Sequence, residues 1–158
     1  MGDEIGRLVE QLQRSFEGQA WHGPSVLETL GDVSAEEAYA HPIAGAHSIW
    51  ELVLHLASDY RLVLRRMHGD GSPLTPEEGW PAVPAPPTND AAAWTAAVSA
   101  LQAGNQELRA AVRAFPAERL DAPLVPEPPY TAYTQFIGVT QHQLYHAGQI
   151  ALLKRALR

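Results

Sequence analysis

Residues 141–157, QHQLYHAGQIALLKRAL, have the pattern of a buried C-terminal helix that carries two histidines, His142 and His146. In an α-helix a spacing of four residues places both imidazoles on one face, one turn apart. Ile150 and Leu153 continue that face, so the pair is predicted to point into a hydrophobic core. Buried ring nitrogens need partners, and one divalent cation held between the two imidazoles is the strongest candidate.

The same spacing has a second interpretation. Seven histidines in 158 residues produce pairs of this kind by chance. Two core histidines can also bond to backbone carbonyls or to a buried water. The metal hypothesis therefore needs a further ligand elsewhere in the chain.

The composition is typical of one globular domain that spans residues 1–158. Hydrophobic residues make up 46% of the chain and charged residues 18%, and the length suits a single core. A net charge of −7 with scattered Lys and Arg argues against a nucleic-acid partner. The absence of cysteine excludes disulfides, thiolate ligands and a cysteine nucleophile, which leaves metal binding to His, Asp and Glu.

The N-terminal residues 1–13, MGDEIGRLVEQLQ, are acidic and amphipathic, unlike a signal peptide. No apolar run approaches the length of a membrane span. These patterns predict a soluble, cytoplasmic protein with no membrane partner.

Hydrophobic periodicity predicts helices and no strand of note. Capping boxes are predicted at Ser34–Glu37 and Ser48–Glu51. Four long amphipathic helices favour an all-α fold, a four-helix bundle. The long helices are predicted over residues 4–19, 48–67, from a cap at Thr88 or Asn89 to Pro116, and 134–157, with short helical pieces at 25–30 and after Ser34.

Residues 69–88 form a long proline-rich connection with no helix or strand pattern. An extended chain rises about 3.1 Å per residue, so this segment can run back along a whole helix. The third long helix would then start at the same end as the second and lie parallel to it.

His55 is the candidate third ligand because it lies in the middle of the second long helix, on the flank of its apolar stripe. Three neutral imidazoles leave the cation its full charge and open coordination positions, which is typical of a catalytic site. Such a site lowers the pKa of a bound water or binds a thiol as thiolate. Asp59 and Gln149 are candidates to orient ligand imidazoles, or else ordinary polar residues.

Two familiar metal-binding motifs do not match this sequence, and the remaining histidines are weaker candidates for ligands. The metalloprotease helix needs Glu directly after its first histidine, where this chain has Gln143. The di-iron bundle needs paired Glu-x-x-His motifs, which are absent. His22 is predicted to lie at a helix end, His47 to border the cleft, and His41 and His68 to be exposed.

Three segments together resemble the DinB/YfiT-like superfamily of metalloenzymes. They are AWHGPSVLETL (20–30), AHSIWELVLHLASDYRLVLRRMHGD (46–70) and GVTQHQLYHAGQIALLKRAL (138–157). The resemblance implies a four-helix bundle with up-down-down-up topology, which agrees with the long 69–88 crossover. It also implies a metal triad of His55, His142 and His146.

The resemblance further implies an enzyme that acts on a small-molecule substrate. Some members resemble thiol-dependent S-transferases or maleylpyruvate isomerases, which use a low-molecular-weight thiol at the metal. A metal-dependent hydrolase and a non-catalytic, damage-inducible stress-response bundle with a structural metal are the alternatives. Three histidines alone do not separate zinc, nickel, iron and manganese, and no further residue is assigned as catalytic.

Related proteins are often dimers, and apolar residues on two sides of the last helix also favour a homodimer. Tyr130 and Tyr133 either offer a phenol to the substrate or pack against the fold. For an acidic thiol, Arg61 and Arg65 are the nearest candidate cations, or else plain surface residues.

Overall fold

The fold is all-α in a computed structural model that describes residues 3–86 and 88–158. Within those residues there are seven α-helices and one 3-10 helix, with two isolated bridges and no strand. No helix in this part of the chain is both long enough and apolar enough to cross a membrane. The helices are α1 Glu4–Phe16, α2 Val26–Leu30, α3 Ala35–Tyr39, α4 Ile49–Met67, α5 Pro76–Gly79, α6 Ala91–Arg113 and α7 Ala132–Leu157, with the 3-10 turn at Ala117–Arg119.

The four long helices, α1, α4, α6 and α7, are those that the periodicity predicts. Both α6 and α7 contact α1 and α4, so all four surround one core. Three of these helices contribute large, fully buried aromatic side chains to this core. These are Phe16 from α1, Trp50 and Tyr60 from α4, and Phe136 from α7. The short helices α3 and α5 pack on α4, and α2 packs on α7. The count of seven helices differs from a plain four-helix arrangement because short capped turns occupy the connections.

Helix starts follow the local sequence closely. The predicted capping boxes at Ser34 and Ser48 are both confirmed, since each hydroxyl accepts from the third residue of its helix. Ser25 forms a third box at the start of α2. These side chains satisfy backbone N–H groups that lack a partner within the helix.

Predicted boundaries differ from the observed ones by a few residues. α1 ends at Phe16, three residues early, and Gly18 follows with a positive φ of 93°, a conformation that leaves the helix. α6 is capped by Asp90 instead of by either of the two residues before it, because its carboxylate accepts from the N–H of Ala93 at 2.9 Å. α7 begins two residues earlier than predicted, after a cap by Thr131.

The proline-rich connection contains a helix, so its prediction as a segment without helical structure is wrong. Thr75 and Glu78 form a complete capping box around α5, with a proline in the first turn, where its missing N–H is harmless. In the sequence the many neighbouring prolines favoured an extended chain, so the capping box did not lead to the prediction of a helix. α5 packs on α4 and leads directly into Trp80, beside the second long helix.

A buried chain of polar side chains connects α7 to α1 and α4. The hydroxyl of Ser15 donates to the amide oxygen of Gln143. The amide nitrogen of Gln143 in turn donates to the hydroxyl of Tyr60 at 2.8 Å. Because an unpaired buried polar group is costly, this network favours one register of α7 against its neighbours. Gln143 directly follows His142, so the network fixes the turn that carries that histidine.

Candidate metal centre

Three histidines converge between α4 and α7. His55 comes from α4, and His142 and His146 come from successive turns of α7. One ring nitrogen from each lies within 4.8 Å of the others. The ring of His55 lies 5.1 Å from that of His142 and 5.0 Å from that of His146, between centroids. The structure thus brings together all three predicted ligand residues.

The connection between α4 and α6 holds His55 in place. Nδ1 of His55 lies 2.7 Å from the backbone carbonyl oxygen of Gly79, so this nitrogen carries the proton and donates it. The indole of Trp80 stacks on the same imidazole, with 3.9 Å between ring centroids and 3° between the planes. His55 therefore presents the lone pair of Nε2 in a fixed orientation.

The two histidines of α7 are oriented in the same way by side-chain acceptors. Nδ1 of His142 lies 3.1 Å from a carboxylate oxygen of Asp59, across the interface with α4. Nδ1 of His146 lies 2.6 Å from the amide oxygen of Gln149, one turn further along α7. In His55 and His146 a hydrogen-bond acceptor fixes the proton on Nδ1 and leaves Nε2 as the ligand atom, and in His142 a carboxylate oxygen lies beside Nδ1.

This arrangement of lone pairs fits a cation. Nε2 of His142 and Nε2 of His146 lie 2.8 Å apart, within hydrogen-bond distance. The carboxylate of Asp59 also lies 3.4 Å from Nε2 of His55. Imidazole nitrogens and a carboxylate that converge this closely suit a divalent cation, which can take the place of the proton between the two imidazoles. Neutral imidazole suits zinc, nickel, copper and iron alike.

Burial lowers the pKa of two of the histidines, which favours binding of such an ion. Desolvation, reinforced by the neighbouring His146 and His55, lowers the pKa of His142 to about 4. Desolvation also lowers the pKa of His146, against the opposing effect of its bond to Gln149. Both imidazoles are therefore neutral at pH 7, so protons compete little for their lone pairs. Burial raises the pKa of the Asp59 carboxyl.

A family model of the DinB superfamily matches residues 20–150, which include every residue of this site. The chain belongs to the DinB superfamily. No curated protein and no solved structure matches the chain in the other two comparisons. Membership agrees with the helical architecture, and the three-histidine cluster is consistent with a metal-binding member of this superfamily.

In this DinB-superfamily chain the residues predicted to orient the ligands do contact them. Gln149 holds His146, as its spacing on the helix suggests. Asp59 lies one turn from His55 on α4, yet its shorter contact is with His142 on the other helix. The spacing along one helix could not indicate this second contact, which depends on how α4 and α7 pack.

The remaining histidines lie outside the cluster. His47 stacks on the far face of Trp80, with 3.6 Å between ring centroids, so the indole is sandwiched between two imidazoles. His22 is exposed near the end of α1. His41 and His68 are exposed as predicted, the first beside Glu51 and the second bonded to the carbonyl of its own helix.

Gly79 and Trp80 also contact His55, although the sequence pattern did not predict that they belong to the site. Gly79 lies 24 residues beyond His55, in a segment predicted to lack structure. The capping box at Thr75 was the one local signal that an ordered turn brings this segment back to α4.

A pocket of about 430 Å³ opens beside the cluster, between α4 and α7. His142 and Asp59 form part of its wall, so the pocket borders the cluster. Both predicted tyrosines are exposed, and of the two only Tyr130 lines this pocket. Of the two arginines predicted for an acidic ligand, neither lines this pocket: Arg61 donates to Ser58, and Arg65 pairs with acidic side chains.

Proposed function

We propose that this DinB-superfamily protein is a divalent-metal-dependent enzyme with His55, His142 and His146 as ligands, in an up-down-down-up helix arrangement. The observation that carries the proposal is the common orientation of the three rings. Each Nδ1 lies beside an acceptor, and one ring nitrogen from each histidine converges with the other two. A bound divalent ion would supply positive charge that lowers the pKa of a thiol or a water beside it.

The chain's own residues position the chemistry. Gly79, Asp59 and Gln149 hold the three imidazoles, so little reorganisation is needed when a ligand binds. Trp80 covers one face of His55 and excludes water from that side. The side toward the pocket stays open, which favours a site that binds a substrate over one closed around a structural ion.

The proposed reaction is transfer of a small thiol to an electrophile. The chain has no cysteine, so a sulfur nucleophile must come from a separate molecule. In this reaction the thiol loses its proton, a sulfur–carbon bond forms and the leaving group departs with its electron pair. The neutral three-histidine set supports this chemistry, since it leaves the cation's charge available to stabilise a thiolate.

We expect metal-loaded protein to accelerate the reaction of monochlorobimane with bacillithiol, mycothiol or glutathione. The thiol sulfur displaces chloride, and the fluorescence of the product gives the rate. The His146→Ala variant should fall to the uncatalysed rate, because it loses one of three ligands. His22→Ala is the matched control, as this histidine is exposed and outside the cluster, and it should keep the wild-type rate.

Two results would contradict thiol transfer. Turnover of an ester or amide with no thiol reaction would assign the site to a metal-dependent hydrolase. Stoichiometric metal with neither reaction would assign a non-catalytic bundle whose metal is structural.

We also propose that two copies associate through the outer face of α7. Tyr145 and Leu152 are 66% and 58% exposed and lie two turns apart on one side of the helix. Gly148 lies between them, and a Cβ built there meets nothing within 4 Å. A second copy of this chain can therefore approach this stripe closely and cover its apolar side chains.

Light scattering at micromolar concentration is expected to give the mass of a dimer. The double variant Tyr145→Glu/Leu152→Glu should halve that mass, because it would bury like charges opposite their symmetry mates. Gln106→Glu, on the exposed face of α6, is the control for added charge. A monomeric wild-type protein at this concentration is incompatible with the proposal.

A further inference from the structure

The pocket beside the three-histidine cluster has two polar regions joined by an apolar wall. His142 and Asp59 lie where the pocket meets the cluster. Leu62, Val63 and Val139 contribute apolar side chains to its lining. Arg66 lies two helical turns from Asp59, about 10 Å along α4 at 1.5 Å per residue.

Arg66 forms no ion pair within 4 Å in the described part of the chain, although Asp59 acts on its charge at longer range and the protein carries a net charge of −7. Its Nη1 donates to the amide oxygen of Gln135 at 3.0 Å, and its buried Nε has no hydrogen-bond partner. The carboxylate of Asp59, on the same pocket wall, contacts the imidazole of His142 instead. Partial burial, together with the charge of Arg65, lowers the pKa of Arg66.

The neighbouring Arg65 also has a buried Nε without a hydrogen-bond partner, but it differs from Arg66 in having acidic partners. It lies 3.4 Å from a carboxylate oxygen of Glu78 and 3.9 Å from one of Asp70, and it also donates to a backbone carbonyl. Its charge is thus compensated within the connection between α4 and α6. A guanidinium that faces a pocket with spare donors is suited to a planar, bidentate carboxylate.

We propose that this pocket binds a small molecule through a carboxylate on Arg66, with an apolar body along α4 and α7. The assignment of the other end rests on the proposed function: the molecule is the thiol, and its sulfur lies at the three-histidine cluster. Acidic thiols whose carboxylate is several bonds away from the sulfur are then the preferred class over neutral thiols of the same length.

The test uses 6-sulfanylhexanoate and its uncharged analogue 6-sulfanylhexanamide on the cobalt-loaded full-length protein. Thiolate binding to cobalt gives a near-ultraviolet charge-transfer band, so dissociation constants follow from titration without turnover. Wild-type protein is expected to bind the acid about tenfold or more tightly than the amide, as a charge-assisted bidentate contact would give. The short acid 3-sulfanylpropanoate should show a much smaller preference over its amide, because it cannot span the pocket.

Arg66→Met should abolish the preference for the acid while amide binding and cobalt content stay unchanged. Arg66→Lys should retain part of it, which separates loss of charge from loss of fold. Arg61→Met, on the exposed side of α4, should behave as wild type. An acid preference that survives in Arg66→Met, or no preference in the wild type, would overturn the assignment of Arg66.

A separate readout distinguishes this inference from the proposed function. If neither thiol gives the charge-transfer band, the thiolate role of the cluster fails. Hexanoate and hexanamide, which lack sulfur, are then titrated against ¹⁵N-labelled zinc protein while the Arg66 Nε–H resonance is followed. A shift of that resonance with hexanoate alone supports the carboxylate site independently, and no shift with either ligand contradicts it.

Discussion

Replacement of His55, His142 or His146 by alanine, one at a time, is expected to abolish stoichiometric binding of a divalent metal. Each change removes one of three converging ligand atoms. It can also leave an acceptor without its donor, such as Gln149 in the His146 variant. Elemental analysis of protein purified without a polyhistidine tag should find about one equivalent in the wild type and almost none in these variants.

Variants of other residues provide two kinds of comparison for this result: residues beside the ligands should have a partial effect, and histidines outside the cluster should have none. Asp59→Asn and Gln149→Ala should keep the metal but weaken its binding by about 10- to 100-fold, since they orient ligands without replacing them. His22→Ala and His41→Ala should bind metal as the wild type does, because both side chains lie outside the cluster. Equal metal content in the wild type and all three ligand variants would refute the assignment of the centre.

Removal of the metal is expected to lower the melting temperature markedly. A ligand that binds only the native state stabilises it by about 4 kcal/mol when present at 1,000 times its dissociation constant. For a chain of this size each kcal/mol corresponds to roughly 2–4 °C, so the expected loss is about 8–16 °C. Scanning calorimetry of chelator-treated and reconstituted protein measures it directly.

The ligand variants separate this effect from a direct action of the chelator. His146→Ala should melt at the same temperature with and without added metal, because it no longer holds the ion. An unchanged melting temperature in wild-type protein that demonstrably binds one equivalent would mean that metal binding is not coupled to folding.

The long helices and their starts could be predicted from the sequence because their signals are local. Apolar periodicity marks α1, α4, α6 and α7, and pairs such as Ser48 and Glu51 mark where a helix begins. α5 was missed although Thr75 and Glu78 carry the same signal. There the surrounding prolines pointed to an extended chain, and packing on α4 decided the outcome.

The three clustered histidines could also be predicted, because the periodicity of its own helix indicates which side each histidine occupies. Contacts between different segments of the chain could not be predicted in this way. The carbonyl of Gly79 reaches His55 only through the path of the connection, and Asp59 reaches His142 only through helix packing. Arg66 was overlooked in favour of Arg65, one residue away, because a rotation of 100° per residue decides which side chain faces the pocket.

The indole of Trp80, held between the imidazoles of His47 and His55, gives the molecule an optical reporter of its own. Indole emission is quenched by a protonated imidazole or by an open-shell cation in contact with it, and here one neighbour is a proposed ligand. Trp50 and Trp94 contact each other in the core, and Trp21 is fully exposed, so their emission is set by other surroundings. Cobalt or nickel entering the three-histidine cluster would therefore dim one tryptophan out of four, and its arrival could be timed in a stopped-flow fluorimeter without any added dye.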